Sequence, residues 1–326
     1  MISKRQFLFA LAGLVAALLA LDHWAGKTPP NTVPRRLMAH ARQFSHGNVL
    51  ALGHSIMGVG FEESAFDRSI GSSPESGGVD LGMGASIPVE HLLLLRYALQ
   101  TGMRPGTIVY GFYDFQLTHP AELTTADFIS SQSMLYYVEP EFARGFYHLS
   151  FHDSIEFEIM RRFPALADRG DTWERVELFR RRISQQGMPQ EKTNALGRTN
   201  DFALLEYHST PEFIEECARA SQRDLIPAIS EIIREGSQNG RRVVFVEMPM
   251  PPAHVQSFYE TDAWQGYRAH LRAMLEAEGV TYIDASHWAP DGSMFMDPLH
   301  LTYEGSKEFS RRLGETLFPA RKSDPD

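Results

Sequence analysis

A serine placed directly after an apolar strand pattern is the first feature of the sequence that could do chemistry. The stretch "NVLALGHS" (48–55) carries four apolar residues into Gly53, and His54 and Ser55 follow. A hydroxyl at the carboxyl end of a strand can act as a nucleophile when a base and an orienting carboxylate lie beside it. Because successive side chains leaving a strand point to opposite sides, we expect His54 to point away from Ser55 and not to act as its base.

A histidine and an aspartate near the C-terminus have the spacing that such a base requires. The stretch "MFMDPLHLTYEG" places Asp297 and His300 three residues apart, just before an amphipathic helix that opens near Thr302. At this spacing the carboxylate can hydrogen-bond one imidazole nitrogen and leave the other free to take a proton from serine. An aspartate at a helix start is often only a cap. Together with the strand-Gly-x-Ser pattern, however, it predicts Ser55 as nucleophile, His300 as base and Asp297 as the orienting carboxylate.

The elements that must bring these residues together form an alternating pattern of strands and helices. The predicted strands are short apolar runs: Val49–Leu52, Val79–Leu81, Thr107–Tyr110, Arg242–Glu247 and Thr281–Ile283. Helical periodicity is found over 87–102, over 211–236 with a break at Pro227, and over 267–279. This alternation predicts an α/β fold with about five parallel strands and helices on the faces of the sheet.

The region from about 115 to 205 interrupts this alternation. It has aromatic and charge-rich helical runs but no strand pattern, so we predict a mostly helical insertion on the carboxyl side of the sheet, where α/β folds place ligand sites. Within it, His148, His152 and Glu156 recur at four-residue intervals, a spacing that could bind zinc. The apolar residues between them favour the polar face of an amphipathic helix instead, and we predict neither a metal nor a cofactor.

The fourth predicted strand runs into a proline-rich turn, in "VVFVEMPMPP" (243–252). We interpret this stretch as a buried strand followed by a rigid turn. The alternative is that Glu247 or the Met-Pro loop lines an acyl pocket beside Ser55.

The first residues of the chain predict a membrane segment. In "MISKRQFLFALAGLVAALLAL", Lys4 and Arg5 precede an apolar run from Phe7 to Leu21. This is the form of a secretory signal or a short signal-anchor. We favour an uncleaved anchor, oriented inside to outside, with a cleaved and secreted form as the alternative.

The domain organisation follows from these patterns. The predicted segments are an anchor or signal over 1–26, a Pro-rich tether over 27–44, a main domain over 45–320 with its insertion, and a frayed tail over 321–326.

Composition excludes several classes of function. With 43% hydrophobic and 22% charged residues among 326, the chain is typical of a globular protein with a core. Its net charge of −10 argues against nucleic-acid binding, which requires a basic face. The single cysteine, Cys217, excludes an internal disulfide and a multi-cysteine metal site.

The two stretches that carry the candidate residues together resemble the SGNH/GDSL hydrolase family. In that family a strand is followed by Gly-Asp-Ser, and Asp-x-x-His precedes the last helix. Here the first block is Gly-His-Ser (53–55) and the last is Asp-Pro-Leu-His (297–300). The resemblance covers roughly residues 45–115 and 240–317. It implies a flavodoxin-like three-layer sandwich and a catalytic triad with the three roles assigned above.

The same resemblance implies an oxyanion hole made by backbone and side-chain donors. Its glycine N–H falls on Gly84, in "VDLGMGAS", with Gly82 as the near alternative, and the Ser55 N–H completes it. Where the family has Gly-x-Asn-Asp after the third strand, this chain has Gly-Phe-Tyr-Asp (111–114). Tyr113 therefore stands at the position of the asparagine.

The predicted anchor, the insertion and the altered blocks are similar to a subgroup of membrane-tethered SGNH proteins, those of alginate O-acetylation and of D-alanyl transfer in teichoic acid synthesis. This resemblance implies an inner-membrane-anchored protein that faces the periplasm or extracytoplasmic space. It would hydrolyse or transfer an acyl group, expected to be acetyl, on a cell-envelope polysaccharide. Its expected partners are an acyl donor, a carbohydrate substrate and the polysaccharide machinery.

Two alternatives from other classes stay open. One is a non-catalytic scaffold of an envelope polysaccharide assembly, which the altered motif positions favour. The other is a metal-dependent hydrolase that uses His148 and His152.

Overall fold

The computed structural model describes residues 3–27, 33–72, 77–84, 86–119, 151–163 and 211–319. These residues fall into two compact units, one within 1–36 and 122–193 and the other within 37–121 and 194–326. All the candidate residues that could form a serine-based site belong to the second unit.

The bounds of the described elements are as follows. The strands are β1 (Val49–Gly53), β2 (Gly78–Asp80), β3 (Thr107–Phe112), β4 (Arg242–Glu247) and β5 (Thr281–Asp284). The helices are α1 (Lys4–Lys27), α2 (Val33–Gln43), α3 (Ser55–Gly60), α4 (Glu63–Ile70), α5 (Pro88–Gln100), α6 (Phe151–Arg162), α7 (Pro211–Ala220), α8 (Pro227–Gly236), α9 (Pro252–His254), α10 (Asp262–Ala277) and α11 (Tyr303–Leu317). Single turns of 3₁₀ helix lie at Gln238–Gly240 and Gly292–Met294, and a π-helical turn lies at Val255–Tyr259.

One all-parallel sheet forms the centre of the second unit, in the strand order β2-β1-β3-β4-β5. The prediction of an α/β fold with five parallel strands is confirmed, and each predicted run falls on one of the strands. Every residue of β1 from Val49 to Leu52 is fully buried, as expected for a strand that is covered on both faces.

The strand order reverses next to β1, and this reversal determines where a site can form. The chain steps from β1 outward to β2 and then crosses back to β3 on the other side of β1. In open parallel sheets, crevices for ligands form outside the carboxyl ends of the strands at such a point. Ser55 follows β1, Gly84 follows β2 and Tyr113 follows β3, so the fold brings these three residues to the same edge.

Helices cover both faces of the sheet. Helix α4 packs against α11, and α5 packs against α8. Because the crossover from β1 to β2 runs in the opposite direction to the later ones, right-handed crossovers place α4 on one face and α5, α8 and α10 on the other. The predicted break at Pro227 is confirmed, since this proline stands at the first position of α8, where its missing N–H costs nothing.

The segment predicted as a Pro-rich tether is corrected by the structure. Instead of continuing to residue 44 as a linker, the chain forms α2 over residues 33–43. Met38 and Ala41 of this helix are buried, and Nε2 of His40 lies 2.6 Å from Oε1 of Glu63. The prolines misled the prediction because Pro34 lies in the first turn of the helix, where proline is tolerated.

Most of the predicted insertion lies outside the described residues, as does the predicted tail over 321–326. The described part includes α6, on which His152 is exposed. His148, the other half of the possible zinc pair, lies outside the described residues.

Helix α1 matches the predicted N-terminal membrane segment. Its 20 residues Lys4–His23 have a mean hydropathy of 1.7, and none of that window is buried. About 20 apolar residues are needed to cross the hydrocarbon core of a bilayer. By length and composition, α1 could therefore be a membrane anchor or a signal sequence.

We expect Gly53→Ala to destabilise the protein by about 2 kcal/mol or more. Gly53 has φ +146°, a conformation that residues with a side chain rarely adopt. An added Cβ would also lie only 2.4 Å from the carbonyl oxygen of Gly111 on the neighbouring strand. Urea unfolding measures the change in the free energy of unfolding.

Gly266→Ala is the matched control for this substitution. Gly266 lies within α10, and an added Cβ would meet nothing within 4 Å. Alanine is the better helix former, so this variant should be as stable as the wild type or more stable by about 0.5–1 kcal/mol. Equal effects of the two substitutions would contradict the strain assigned to Gly53.

Candidate active site

Ser55, His300 and Asp297 form one continuous chain of hydrogen bonds. Ser55 is the first residue of α3, directly after β1, and His300 lies in the segment that leads into α11. Nε2 of His300 lies 2.9 Å from Oγ of Ser55, and Nδ1 of the same ring lies 2.8 Å from Oδ2 of Asp297. Both distances are in the range required of a base that takes a serine proton while a carboxylate holds its ring.

The carboxylate of Asp297 is held by its own backbone turn. Its Oδ1 accepts hydrogen bonds from the N–H groups of Leu299 and His300, each at 2.8 Å. Partial burial raises the pKa of Asp297, but these two N–H groups and the His300 imidazole outweigh it, so the pKa lies below its usual value. The ionised carboxylate therefore accepts the Nδ1–H of His300, and Nε2 is left as the acceptor for Ser55.

His54 also contacts Ser55, so the expectation that their side chains point apart is wrong. Nδ1 of His54 lies 2.9 Å from Oγ of Ser55. Side chains alternate only along a strand, and here His54 is the extended residue before α3 while Ser55 already begins the helix. Burial, and next the charge of His300, lowers the pKa of His54.

The single proton of the Ser55 hydroxyl decides which imidazole is the acceptor. When Ser55 donates to Nε2 of His300, the other ring must carry hydrogen on Nδ1 and donate to Oγ. His54 is then a neutral donor to the candidate nucleophile, and His300 is the candidate base.

Gly84 lies beside Ser55, and the backbone N–H groups of these two residues are the candidate oxyanion donors. A Cβ built on Gly84 would lie 3.8 Å from the Cβ of Ser55. Within the described ranges, no protein group accepts a hydrogen bond from the N–H of either residue. The alternative donor, Gly82, is already engaged, because its N–H donates to Oδ1 of Asp80 at 2.8 Å. Of the two glycines, only Gly84 can offer its N–H to a ligand.

Tyr113, which directly follows β3, packs beside His54. The two rings lie edge to face with their centroids 6.0 Å apart, and the Tyr113 N–H donates to Gln116 at 3.2 Å. Burial, and next the charge of Asp114, raises the pKa of Tyr113, so the phenol is neutral at neutral pH. Its ring therefore lies against His54, beside the candidate nucleophile.

The alternative interpretation of Glu247 as a lining residue of an acyl pocket is not supported. The residue is only 1% exposed, and both of its carboxylate oxygens bind the guanidinium of Arg268 at 2.9 Å. The Tyr282 hydroxyl donates to the same carboxylate. Burial raises the pKa of Glu247, and the guanidinium acts against that rise. Glu247 is therefore part of a buried ion pair at the end of β4.

Metal ligation and thiol chemistry have little support in the described part of the chain. No three His, Cys, Asp or Glu side chains within it come together as a possible metal site. Cys217 is buried in α7, and burial raises the pKa of its thiol to about 12. A thiol with so high a pKa is a poor nucleophile at neutral pH.

Comparison with known proteins finds similarity to one protein-family model. A model of an uncharacterised protein family matches residues 215–320. The matched segment contains Asp297 and His300 but not Ser55. A search of curated proteins found no match.

Proposed function

We propose that the protein is a serine ester hydrolase or O-acyltransferase that acts through Ser55, His300 and Asp297. The observation that carries the proposal is the unbroken chain of hydrogen bonds from the Asp297 carboxylate to the Ser55 hydroxyl. Ser55 follows the first strand of the main unit, whereas Asp297 and His300 follow its last strand. The three side chains meet at the sheet edge where the strand order reverses. A protein that served only as a scaffold would have no physical need for this arrangement.

The proposed reaction proceeds in two half-reactions. In the first, the hydroxyl proton of Ser55 passes to Nε2 of His300 while Oγ attacks the acyl carbonyl carbon. The N–H groups of Ser55 and Gly84 stabilise the oxyanion. The ester bond to the leaving alcohol then breaks, the alcohol oxygen takes the proton from Nε2, and an acyl-serine remains.

In the second half-reaction an acceptor hydroxyl gives its proton to His300 and attacks the acyl-serine. The bond from the acyl carbon to Oγ breaks, and Oγ regains its proton from Nε2. Water as acceptor makes the protein a hydrolase, and a sugar hydroxyl makes it a transferase. The same three side chains serve both outcomes, which differ only in the shape and dryness of the acceptor site.

The proposed substrate is an acyl ester, expected to be acetyl, of a cell-envelope polysaccharide. The similarity of the two site stretches to the SGNH/GDSL family and to its membrane-tethered members supports this substrate class. An uncleaved α1 would hold the site at the periplasmic or extracytoplasmic face of the inner membrane. A polymer assembled there would be within its reach.

A non-catalytic scaffold is the second candidate function. The packing of Tyr113 beside His54 favours it, because the site then lacks the side-chain oxyanion donor of the resembled family. Loss of one such donor costs on the order of a hundredfold or more in rate.

A fluorophosphonate probe tests the proposal directly. We expect the full chain in detergent micelles to gain one adduct, measured by intact mass. The adduct should be absent from Ser55→Ala, which lacks the nucleophile, and should form much more slowly on His300→Ala, which lacks the base.

Ser64→Ala is the control for this experiment. Ser64 is an exposed serine in α4, and its hydroxyl donates to Glu62. This variant should be labelled like the wild type. A wild-type protein that takes no adduct would favour the scaffold over the enzyme. An adduct that persists in Ser55→Ala would contradict the assignment of Ser55 as the nucleophile.

A further inference from the structure

Three buried polar side chains lie behind the loop that carries Gly84, and the proposed reaction does not use them. Ser86, His91 and Tyr110 are 5%, 2% and 1% exposed. Nε2 of His91 lies 2.7 Å from Oγ of Ser86, and its Nδ1 lies 2.8 Å from the Tyr110 hydroxyl. The Ser86 hydroxyl in turn donates to the carbonyl oxygen of Met83. Together they form one line of hydrogen bonds from β3 to the Gly84 loop.

The direction of every hydrogen bond in this line is determined. Because the single hydroxyl proton of Ser86 is donated to the Met83 carbonyl, the Ser86 oxygen must accept a hydrogen bond from Nε2–H of His91. A neutral imidazole then has no hydrogen on Nδ1, so Nδ1 accepts the hydroxyl proton of Tyr110. Burial, and next the charge of His54, lowers the pKa of His91 to about 3. The ring therefore stays neutral, and the line keeps one direction throughout the physiological pH range.

The line ends on the peptide group that contains the Gly84 N–H. Met83 is held on both sides, since its N–H donates to the Gly53 carbonyl at 2.9 Å and its own carbonyl accepts from Ser86. A peptide group is planar and trans, so its C=O and the following N–H point in opposite directions. Fixing the Met83 carbonyl on the Ser86 side consequently fixes the direction of the Gly84 N–H.

We propose that Tyr110, His91 and Ser86 are positioning residues that aim the Gly84 N–H at the oxyanion formed on Ser55. The inference rests on the proposed function and adds to it the residues that hold the oxyanion donor rigid. Tyr110 anchors the line, because its ring is stacked on Phe245 of β4 with centroids 5.0 Å apart. A preorganised donor stabilises a transition state without the cost of being oriented during the reaction.

The Met83-Gly84 peptide group can be observed selectively by NMR spectroscopy. Methionine is followed by glycine at only two places, Met57-Gly58 and Met83-Gly84. Labelling the full chain with carbonyl-¹³C methionine and ¹⁵N glycine therefore gives only two correlations between a carbonyl and the following amide. One reports the Met83-Gly84 peptide, and the other is an internal control.

We expect Ser86→Ala to shift the Gly84 correlation and to leave the Gly58 correlation in place. Ser86→Thr, which keeps a hydroxyl, should return the Gly84 signal toward its wild-type position. Tyr110→Phe should shift it in the same direction as Ser86→Ala. A Gly84 correlation that does not move in Ser86→Ala would overturn the positioning of this peptide, whether or not the protein is an enzyme.

The kinetics of fluorophosphonate labelling connect the positioning to the reaction. In Ser86→Ala the maximal rate of inactivation should fall about tenfold to a hundredfold, because the oxyanion donor is misdirected, while the probe concentration for half-maximal rate stays the same. Ser86→Thr should recover most of the rate. Ser306→Ala, which removes another buried serine hydroxyl that donates to a backbone carbonyl, is the control and should react at the wild-type rate.

The outcomes separate the two proposals. A wild-type protein that takes no label contradicts the proposed function, and with it the role of the Gly84 N–H as an oxyanion donor. A labelled wild type together with an equally fast Ser86→Ala contradicts only the positioning role. A lower melting temperature of Ser86→Ala with unchanged labelling kinetics would make these residues purely structural and would overturn the inference.

Discussion

Asp297→Asn is expected to slow the labelling of Ser55 by about three to four orders of magnitude, the loss typical of a triad whose imidazole is held in the wrong tautomer. In the wild type, Oδ1 of Asp297 accepts the N–H groups of Leu299 and His300, and Oδ2 accepts Nδ1–H of the imidazole. The asparagine oxygen would keep the two backbone bonds, and its NH₂ group would face Nδ1. Nδ1 then becomes an acceptor and the ring proton moves to Nε2, where it prevents proton transfer from Ser55.

Asp291→Asn is the matched control for this prediction. Asp291 is an exposed aspartate in the same segment and also accepts a backbone N–H through Oδ1, from Ser293 at 2.8 Å. It makes the same chemical change without touching His300, so its labelling rate should equal that of the wild type. The second-order rate of adduct formation at neutral pH measures both variants. A rate for Asp297→Asn within tenfold of the wild type would contradict the role of the carboxylate.

The five strands and the candidate triad could be predicted because local patterns and simple topology determine them. The apolar run before Gly53 is short and bounded by polar residues, and its length favours a buried strand over a helix. The pairing of Asp297 with His300 depends only on their separation of three residues within one turn. Their approach to Ser55 follows once β1 and the segment after β5 are known to end at the same edge of a parallel sheet.

The line through Ser86, His91 and Tyr110 could not be predicted in the same way. His91 opens the run "HLLLLRYALQ", and nothing in its neighbours shows which residue of the sheet it faces. Its contact with Tyr110 depends on how α5 packs over β3, and this tertiary packing cannot be derived from the local sequence. The available signal is weak: a histidine within an apolar helix face must find partners when it is buried.

One other expectation failed because a side chain was assigned to the wrong local structure. His54 was treated as a strand residue, although the chain turns into α3 at Ser55 and brings the two side chains together. The favoured interpretation of Glu247 as part of a buried strand is confirmed, and its alternative as a pocket residue is not supported. Whether a buried acid serves chemistry or structure depends on its partner, and Arg268 lies 21 residues away.

Arg268→Met is expected to lower the free energy of unfolding by about 3–5 kcal/mol, because it leaves a buried carboxylate without its cation. The guanidinium binds both oxygens of Glu247, lies 3.4 Å from Asp284 and stands over the ring of Tyr259 at 5.2 Å. Tyr259 in turn donates to Asp114 at 3.0 Å. The ends of β4 and β5 and the loop after β3 are thus connected around one cation, and urea unfolding at pH 7 measures its contribution.

The loss in the free energy of unfolding caused by Arg268→Met should depend on pH in a defined direction. Burial already raises the pKa of Glu247, and loss of the cation raises it further in the folded variant. A carboxyl whose pKa is higher in the folded state than in the unfolded state contributes stability that is fully present below the unfolded-state pKa, about 4.3. This stability is lost as the pH rises through the folded-state pKa. The variant should therefore be furthest below the wild type at neutral pH and should approach it near pH 4.

Two further variants isolate the buried charge as the cause. Arg272→Met removes an exposed arginine one turn later on α10, which stands over Tyr282 at 4.7 Å, and should cost no more than about 0.5 kcal/mol. Arg268→Met combined with Glu247→Met removes both charges and should recover much of the loss, since a buried ion pair can be replaced by apolar groups of similar volume. If the double variant were less stable than Arg268→Met at every pH, the loss would come from packing around Tyr259 and not from the uncompensated carboxylate.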